Sequence, residues 1–163
     1  MVEVGRLSPE RWSEYRRLRI EALQTDPAAF ASSVEDEASL PETEWKRRLV
    51  NTLFAFSDDR PVGMIGILRG SRPKTAHRVD IVGVYVEPGE RGKGLGGLLL
   101  EGALKEITSS PGTVKVVLSV NPEQKAAVRL YKRAGFKEVG RLRRELRIGD
   151  RYFDELVMEK QIR

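Results

Sequence analysis

Cysteine is absent from this 163-residue sequence, and that gap excludes disulfides, thiolate nucleophiles, Cys-ligated zinc and iron–sulfur clusters. Histidine is nearly as scarce: His77 is the only one, so no His-rich metal site can be assembled and no metal centre is expected. No run of about 18 apolar residues is present, which argues against a membrane-spanning helix. The opening Met1-Val2-Glu3-Val4-Gly5-Arg6 has no apolar h-region, so no signal peptide is expected and the cytoplasm is the expected location. Repeats, low-complexity tracts and linker-like stretches are missing too, so residues 1–163 are expected to form a single domain.

What is present is an ordinary globular composition, 40% hydrophobic and 33% charged, with a formal charge of +5 and a pI near 9.6. The charge is unevenly spread. From Ile20 to Trp45 there are seven acids (Glu21, Asp26, Glu35, Asp36, Glu37, Glu42, Glu44) and no Lys or Arg, so that segment carries −7 and the remainder +12. Such a run is either solvated helix face or one acidic wall of a cleft that sorts ligands by charge.

Hydrophobic patterning predicts an α+β chain in the order β-α-α-β-β-β-α-β-α-β-β. Val2–Leu7 reads as a first strand, and Ser8-Pro9 as a helix start leading into the stripe Trp12, Tyr15, Leu18, Ile20, Leu23. The stretch 28–40 reads as an acidic loop, and Pro41 opens a second helix. Leu53–Phe56 and Val62–Leu68 form a hairpin, followed by a strand over Val79–Val86. A helix over Gly94–Ile107, a strand over Val114–Val120 and a helix over Gln124–Ala134, closed by Gly135, come next. The chain ends in strands Val139–Ile148 and Arg151–Lys160 around the two-residue turn Gly149-Asp150. Uninterrupted pairing there places Leu142, Leu146 and Ile148 with Phe153 and Val157 on a core face. It also sets Glu145 opposite Asp154, a like-charge pair that a bulge, neighbouring Arg143 and Arg147, or a cationic ligand must relieve.

The most informative stretch is Val84-Tyr85-Val86-Glu87-Pro88-Gly89-Glu90-Arg91-Gly92-Lys93-Gly94-Leu95-Gly96-Gly97, a strand, a glycine loop and a helix start. Glycines at a helix N-terminus let an anion approach free N–H groups, where the helix dipole also favours negative charge; Arg91 and Lys93 add positive side chains. The run Gly92–Gly97 matches G-x-G-x-x-G literally, but five residues separate it from the strand, and the next strand ends in Ser119-Val120-Asn121-Pro122 with no acid to hold a ribose. No G-K-[ST] is present, so this is not a P-loop.

The arrangement resembles the GNAT superfamily of acetyl-CoA-dependent N-acetyltransferases, whose pyrophosphate signature is Arg or Gln, two residues, Gly, any residue, then Gly or Ala. Arg91-Gly92-Lys93-Gly94-Leu95-Gly96 fits it, and Gln124–Tyr131 with Gly135-Phe136 fits a later family pattern, except that Gln124 stands where Asn is usual. The resemblance implies a GNAT-type fold, a mixed and mostly antiparallel sheet of about seven strands flanked by about four helices. It implies acetyl-CoA as the acetyl donor: pyrophosphate on Gly92, Lys93, Gly94, Leu95, Gly96 and Gly97 with Arg91 in support, and pantetheine along Val84, Tyr85 and Val86. Asn121, Gln124 and Tyr131 are implied as further cofactor contacts.

Direct attack by an amine needs no covalent enzyme intermediate, which suits a chain without cysteine. The resemblance places Tyr131 where family members protonate the departing sulfur, and a phenol with a pKa near 10 can do so; the alternative is plain packing of the helix on the sheet. Asp80, four residues before Val84, matches a position where some members carry a catalytic glutamate; the alternative is a strand residue on its wet face. His77 reads as a surface residue. The family's acceptor walls would carry Glu35 and Glu37 on one side and Glu145 and Asp154 on the other, which points to a small cationic amine such as a polyamine, amino sugar or basic amino-acid derivative. A peptide N-terminus or lysine, and a non-catalytic acyl-CoA-binding domain, are the alternatives. The arginines Arg141, Arg143, Arg144, Arg147 and Arg151 alternate as amphipathic strands do and come without an RNA-binding signature, so neither nucleic acid nor membrane is an expected partner. A homodimer through terminal strands follows by family analogy alone.

Overall fold

The computed structural model describes residues 1–163. The elements are β1 (Val2–Gly5), α1 (Trp12–Thr25), α2 (Val34–Glu37), α3 (Glu42–Leu49), β2 (Thr52–Ser57), β3 (Arg60–Arg69), β4 (Arg78–Val86), α4 (Leu95–Ser109), β5 (Lys115–Val120), α5 (Lys125–Arg133), β6 (Lys137–Ile148) and β7 (Arg151–Gln161). Seven strands form a mixed sheet in the order β1-β2-β3-β4-β5-β7-β6. The β4–β5 pair is parallel, while β1–β2, β2–β3, β5–β7 and β6–β7 are antiparallel. By contacts the chain divides into two compact units, 1–67 with 83–106, and 68–82 with 107–163.

The first unit is built on an aromatic core. Tyr15 of α1 meets Trp45 of α3 and Phe54 of β2 edge-on, with ring centroids 5.3 and 5.5 Å apart. The predicted stripe explains this: Tyr15, Leu18, Ala22 and Leu23 recur at helical spacing and all are buried. Trp45 is wholly buried and still satisfies its indole N–H, which donates to the Leu40 carbonyl at 3.2 Å. Stretch 28–40 holds a helix where a loop was expected. The hydroxyl of Ser33 accepts from the Asp36 N–H (3.2 Å) and the Asp36 carboxylate accepts from the Ser33 N–H (2.8 Å), a reciprocal cap that closes the one-turn helix α2 and brings the count to five. Ser8, by contrast, caps nothing with its side chain; a single 3-10 turn at Pro9–Arg11 leads into α1.

The second unit has a two-faced sheet. The register Val79↔Val116 and Leu118↔Met158, Val120↔Leu156 lines up buried residues on one face. Lys160, on that same face of β7, donates to the Ala134 carbonyl at 2.6 Å and ties down the end of α5. Gly135, at φ +98°, supplies the left-handed residue that ends this helix.

The last hairpin departs from uninterrupted pairing. Ile148↔Arg151, Arg147↔Tyr152 and Leu146↔Phe153 keep the expected register, but Leu142 pairs with Glu155. Two extra residues of β6 are therefore taken up between Leu142 and Leu146, with Arg144 at φ +52°, and a further shift lies between Glu138 and Gly140. The bulge relieves the Glu145–Asp154 opposition. Leu142 and Ile148, expected in the core, are 43% and 39% exposed, and Ile148 lies in the part of the hairpin that keeps the expected register.

Candidate active site

In the first unit, β4 ends at Val86 and the chain makes one 3-10 turn, Pro88–Glu90, before α4 starts at Leu95. Gly92 and Gly94 have φ of +78° and +82°, a region that only glycine enters freely. A Cβ built on either would meet no atom within 4 Å, so these glycines are required by backbone shape and face open space, not a crowded neighbour. The Leu98 N–H donates to the Gly94 carbonyl (3.1 Å), which sets the helix start and leaves the first-turn N–H groups, Leu95 to Gly97, without helical acceptors. Leu95 itself is buried and anchors the turn.

The loop is strapped to α1 by charge. Arg91 donates to the Val86 carbonyl (2.8 Å) and to the Asp26 carboxylate (2.7 Å), and its guanidinium lies 5.6 Å from the Tyr85 ring centroid. Glu87, 8% exposed, accepts from Arg17 at 2.9 Å and from both guanidinium nitrogens of Arg60 at 2.9 Å. The Tyr85 hydroxyl donates to Glu21 (2.9 Å), and burial first, then that carboxylate, hold the phenol up at about 12. Lys93 pairs with Glu90 at 3.1 Å. Val84 and Val86 are half-buried at the strand end. The sequence singled out Arg91 and the glycines but not Glu87, Arg17 or Arg60. An acid placed between an apolar strand and a proline was the available signal.

The acidic run is neutralised in space. Glu37 is 2% exposed and lies between Arg19 (2.9 Å, two contacts) and Arg48 (2.9 Å). Burial pushes its carboxyl up, but the two guanidinium groups outweigh this and hold it below the usual range. Glu44 pairs with Arg47 and Arg48, Glu42 with Lys46, Asp26 with Arg91, and Asp36 is spent on its cap. Glu35 stands exposed on α2. The cations lie just outside the sequence window or far along the chain, so a count along the sequence overstates the local field. Arg19 also lies over the Phe30 ring at 5.0 Å and 3.1 Å from the Cβ site of Gly83, a left-handed residue inside β4.

In the second unit, Tyr131 is 5% exposed, edge-on to Phe136 at 6.0 Å, and burial alone raises its phenol to about 12. Asn121, also buried, accepts the Glu123 N–H at 2.8 Å, an Asx turn that leads into α5. Gln124 occupies the N-cap of α5 without a side-chain cap bond. Asp80 pairs with Arg78 at 2.8 Å on the half-exposed face of β4. Asp154 accepts the Arg144 N–H (2.9 Å) and the Arg141 guanidinium (2.8 Å), contacts that clamp the β6 bulge and hold its carboxyl low. Glu145 is adjacent to the bulge and acts on Glu155, a half-buried acid not singled out in the sequence. No three His, Cys, Asp or Glu side chains are grouped to hold a metal ion, and no helix is long and apolar enough to cross a membrane.

A strand, a loop with two left-handed glycines facing open space, and a helix start thus follow one another in the first unit. The model of the acetyltransferase (GNAT) family matches residues 12–136, and the chain belongs to that family. Among solved structures it is similar to a GNAT acetyltransferase of Streptococcus pneumoniae, with 26% identity, TM-score 0.87 and 99% of each chain covered. It is similar in fold to yncA of Salmonella typhimurium, solved with its cofactor acetyl-CoA (18% identity, TM-score 0.83, 100% of this chain and 95% of that one). The ribosomal-protein-alanine N-acetyltransferase of Brucella melitensis shares the fold too, at 19% identity and TM-score 0.83 over 98% and 99% of the two chains.

Proposed function

We propose that the protein is an N-acetyltransferase that moves acetyl from acetyl-CoA directly to a primary amine. The observation that carries this reading is the pair Gly92 and Gly94, left-handed and open on their outer side, at the N-terminus of α4. Pyrophosphate fits there: backbone N–H groups can be approached without a side chain intervening, and Arg91 is already fixed beside them. Acetyl-CoA supplies an activated thioester. The main chain at Val84 and Val86 would hold its pantetheine arm. A strand N–H there would polarise the thioester carbonyl, which is commonly a large part of such catalysis. A phenol keeps its proton throughout the physiological range, and Tyr131, which the family pattern places at the departing sulfur, would serve as the acid that protonates it.

The acceptor is a primary amine. The acidic run between Ile20 and Trp45 no longer argues for a cationic metabolite, because its carboxylates are largely paired with arginine and lysine in the first unit. Titration calorimetry with acetyl-CoA, followed by thiol release with spermidine, glucosamine, lysine methyl ester and an alanyl peptide, tests the proposal. Binding and thiol release with at least one amine are expected. Absence of acetyl-CoA binding overturns the reading, and binding without release from any amine reduces the chain to an acyl-CoA-binding domain.

A further inference from the structure

Glu37, singled out in the sequence as an acid facing the acceptor, instead anchors an arginine. Its carboxylate oxygens accept from Nε and Nη2 of Arg19, both at 2.9 Å, and Arg48 donates to the same group at 2.9 Å. Phe30 lies against the Arg19 guanidinium, 5.0 Å from its ring centroid. The Arg19 side chain is 14% exposed, so this long group is already fixed in one pose before any ligand arrives. Glu37 uses only the Nε and Nη2 edge of a guanidinium that carries five N–H donors. Nη1 has no acceptor, and no buried side-chain nitrogen or oxygen in the protein lacks a partner, so Nη1 is reached by solvent. Charge is left over as well. Arg19, Arg47 and Arg48 share only the carboxylates of Glu37 and Glu44.

The open nitrogen lies at a particular point of β4, inside the first unit. Nη1 is 3.1 Å from where a Cβ on Gly83 would stand, and Gly83 has φ +60°. Glycine is required there by the left-handed backbone, and its missing side chain leaves the guanidinium its place. Beyond the chain neighbours no other atom lies within 4 Å of that Cβ site, so room remains beside Nη1. Gly83 precedes Val84, with Cα atoms about 3.8 Å apart. On the acetyltransferase reading, pyrophosphate sits at the loop after Val86 and the pantetheine arm runs back along the strand from Val86 to Val84. The thioester, at the far end of that arm, is then beside Gly83, and the attacking nitrogen comes to it there. A group joined to that nitrogen through a single carbon is within reach of Nη1.

We propose that Arg19 binds a carboxylate of the acceptor, which makes the acceptor an α-amino acid or a close analogue with its acid one carbon from the amine. The inference rests on the acetyltransferase reading above. The outer edge of the guanidinium selects the group: Nη1 and the second N–H of Nη2 lie in one plane and match the two oxygens of a carboxylate. A single excess charge suits a monoanion. Glu37 is the positioning residue, since by taking the inner edge it turns the outer edge toward Gly83. The acid that the sequence offered as a partner for a cationic amine thus holds the cation that binds an acidic one.

The test measures thiol release by the full chain with alanine, leucine, methionine and tryptophan, each against its amide. The amide keeps the side chain and the amine, and its amine is the less basic of the two, so intrinsic reactivity at neutral pH favours the amide. Wild type should nevertheless prefer the best acid over its amide by roughly 10- to 150-fold in kcat/KM, the worth of a hydrogen bond to a charged group. In Arg19→Gln that preference should fall to about unity, and Arg19→Lys, which keeps the charge without the planar fork, should lie between. An arginine that only supported the fold would lower acid and amide together and leave their ratio alone. Equal kcat/KM for acid and amide in wild type, an unchanged ratio in Arg19→Gln, or faster turnover of spermidine than of every amino acid overturns the assignment. Where Arg19→Gln does not fold, the wild-type ratio decides, together with 15N NMR of the Arg19 Nη groups, which should shift on adding the acid with CoA present and not on adding the amide. If wild type binds no acetyl-CoA, the function reading fails first, and the same titration without CoA still decides whether Arg19 takes a carboxylate.

Discussion

Replacing Gly94 by alanine separates the cost of a backbone shape from the cost of losing a ligand. A Cβ at Gly94 would meet no atom within 4 Å, so the substitution causes no collision. What remains is an L side chain forced to φ +82°, which costs about 1–2 kcal/mol. For a chain of this length each kcal/mol moves Tm by roughly 2–4 °C, so Gly94→Ala should melt about 2–8 °C below wild type. Gly112 provides a matched control: its φ is +85°, its Cβ site is equally open, and it lies in the turn between α4 and β5. Gly112→Ala should lose the same stability and no affinity. At Gly94, however, the methyl group would occupy the open space through which the proposed pyrophosphate contact is made. Loss of one hydrogen bond to a charged group is worth about 1.5–3 kcal/mol, or roughly 10- to 150-fold in Kd. Calorimetric titration with acetyl-CoA at fixed ionic strength reads this directly. Wild-type affinity in Gly94→Ala, or an equal loss in Gly112→Ala, would refute the phosphate-loop reasoning.

Three more outcomes follow from the charged contacts and the buried phenol. Glu37→Gln leaves Arg19 and Arg48 short of their shared carboxylate and should cost about 3–5 kcal/mol in urea unfolding. Because the folded-state pKa of Glu37 is lowered, its contribution is present above the ordinary glutamate range and is lost as pH falls through the depressed value; the gap between wild type and mutant should therefore close in acid. Glu87→Ala should be destabilising by about 3 kcal/mol and weaken acetyl-CoA binding, since two arginines lose the residue that fixes the loop's first turn, whereas Arg60→Ala, whose side chain is 55% exposed, should cost about 1 kcal/mol or less. Tyr131→Phe should lower kcat about 10²-fold while the Kd for acetyl-CoA holds, and full turnover at saturating substrate would remove its role as the acid.

The loop was legible because its chemistry is local: glycines at 92 and 94 are demanded by φ, and Arg91 reaches the carbonyl of Val86 only five residues back. Helix α5 was legible for the same reason, with Gly135 marking its end. Helix α2 was available in Ser33-Val34-Glu35-Asp36, but a single capped turn inside an acidic stretch carries almost no periodic signal. Two features depended on distant partners. Asp26 finds Arg91 across 65 residues and Glu87 finds Arg17 across 70, so the acidic run looked like a field when it is a set of pairs. The irregularity of the hairpin was hidden because two extra residues after Leu142 leave the alternation unchanged, yet they bring Asp154 to the Arg141 guanidinium and the Arg144 N–H.

Those extra residues have a consequence for how the molecule meets others. Strand β6 is the last of the sheet, and its outer backbone groups are the natural template on which a foreign strand could build. Yet its register with β7 holds for at most three residues at a time, at Gly140–Leu142 and Leu146–Ile148, before an irregularity turns it. Arg141, Arg143, Arg144 and Arg147 line the same strand. An arriving strand would lose step after about three residues and meet a row of like charges, so the bulge that positions an acid also protects an exposed edge from accretion.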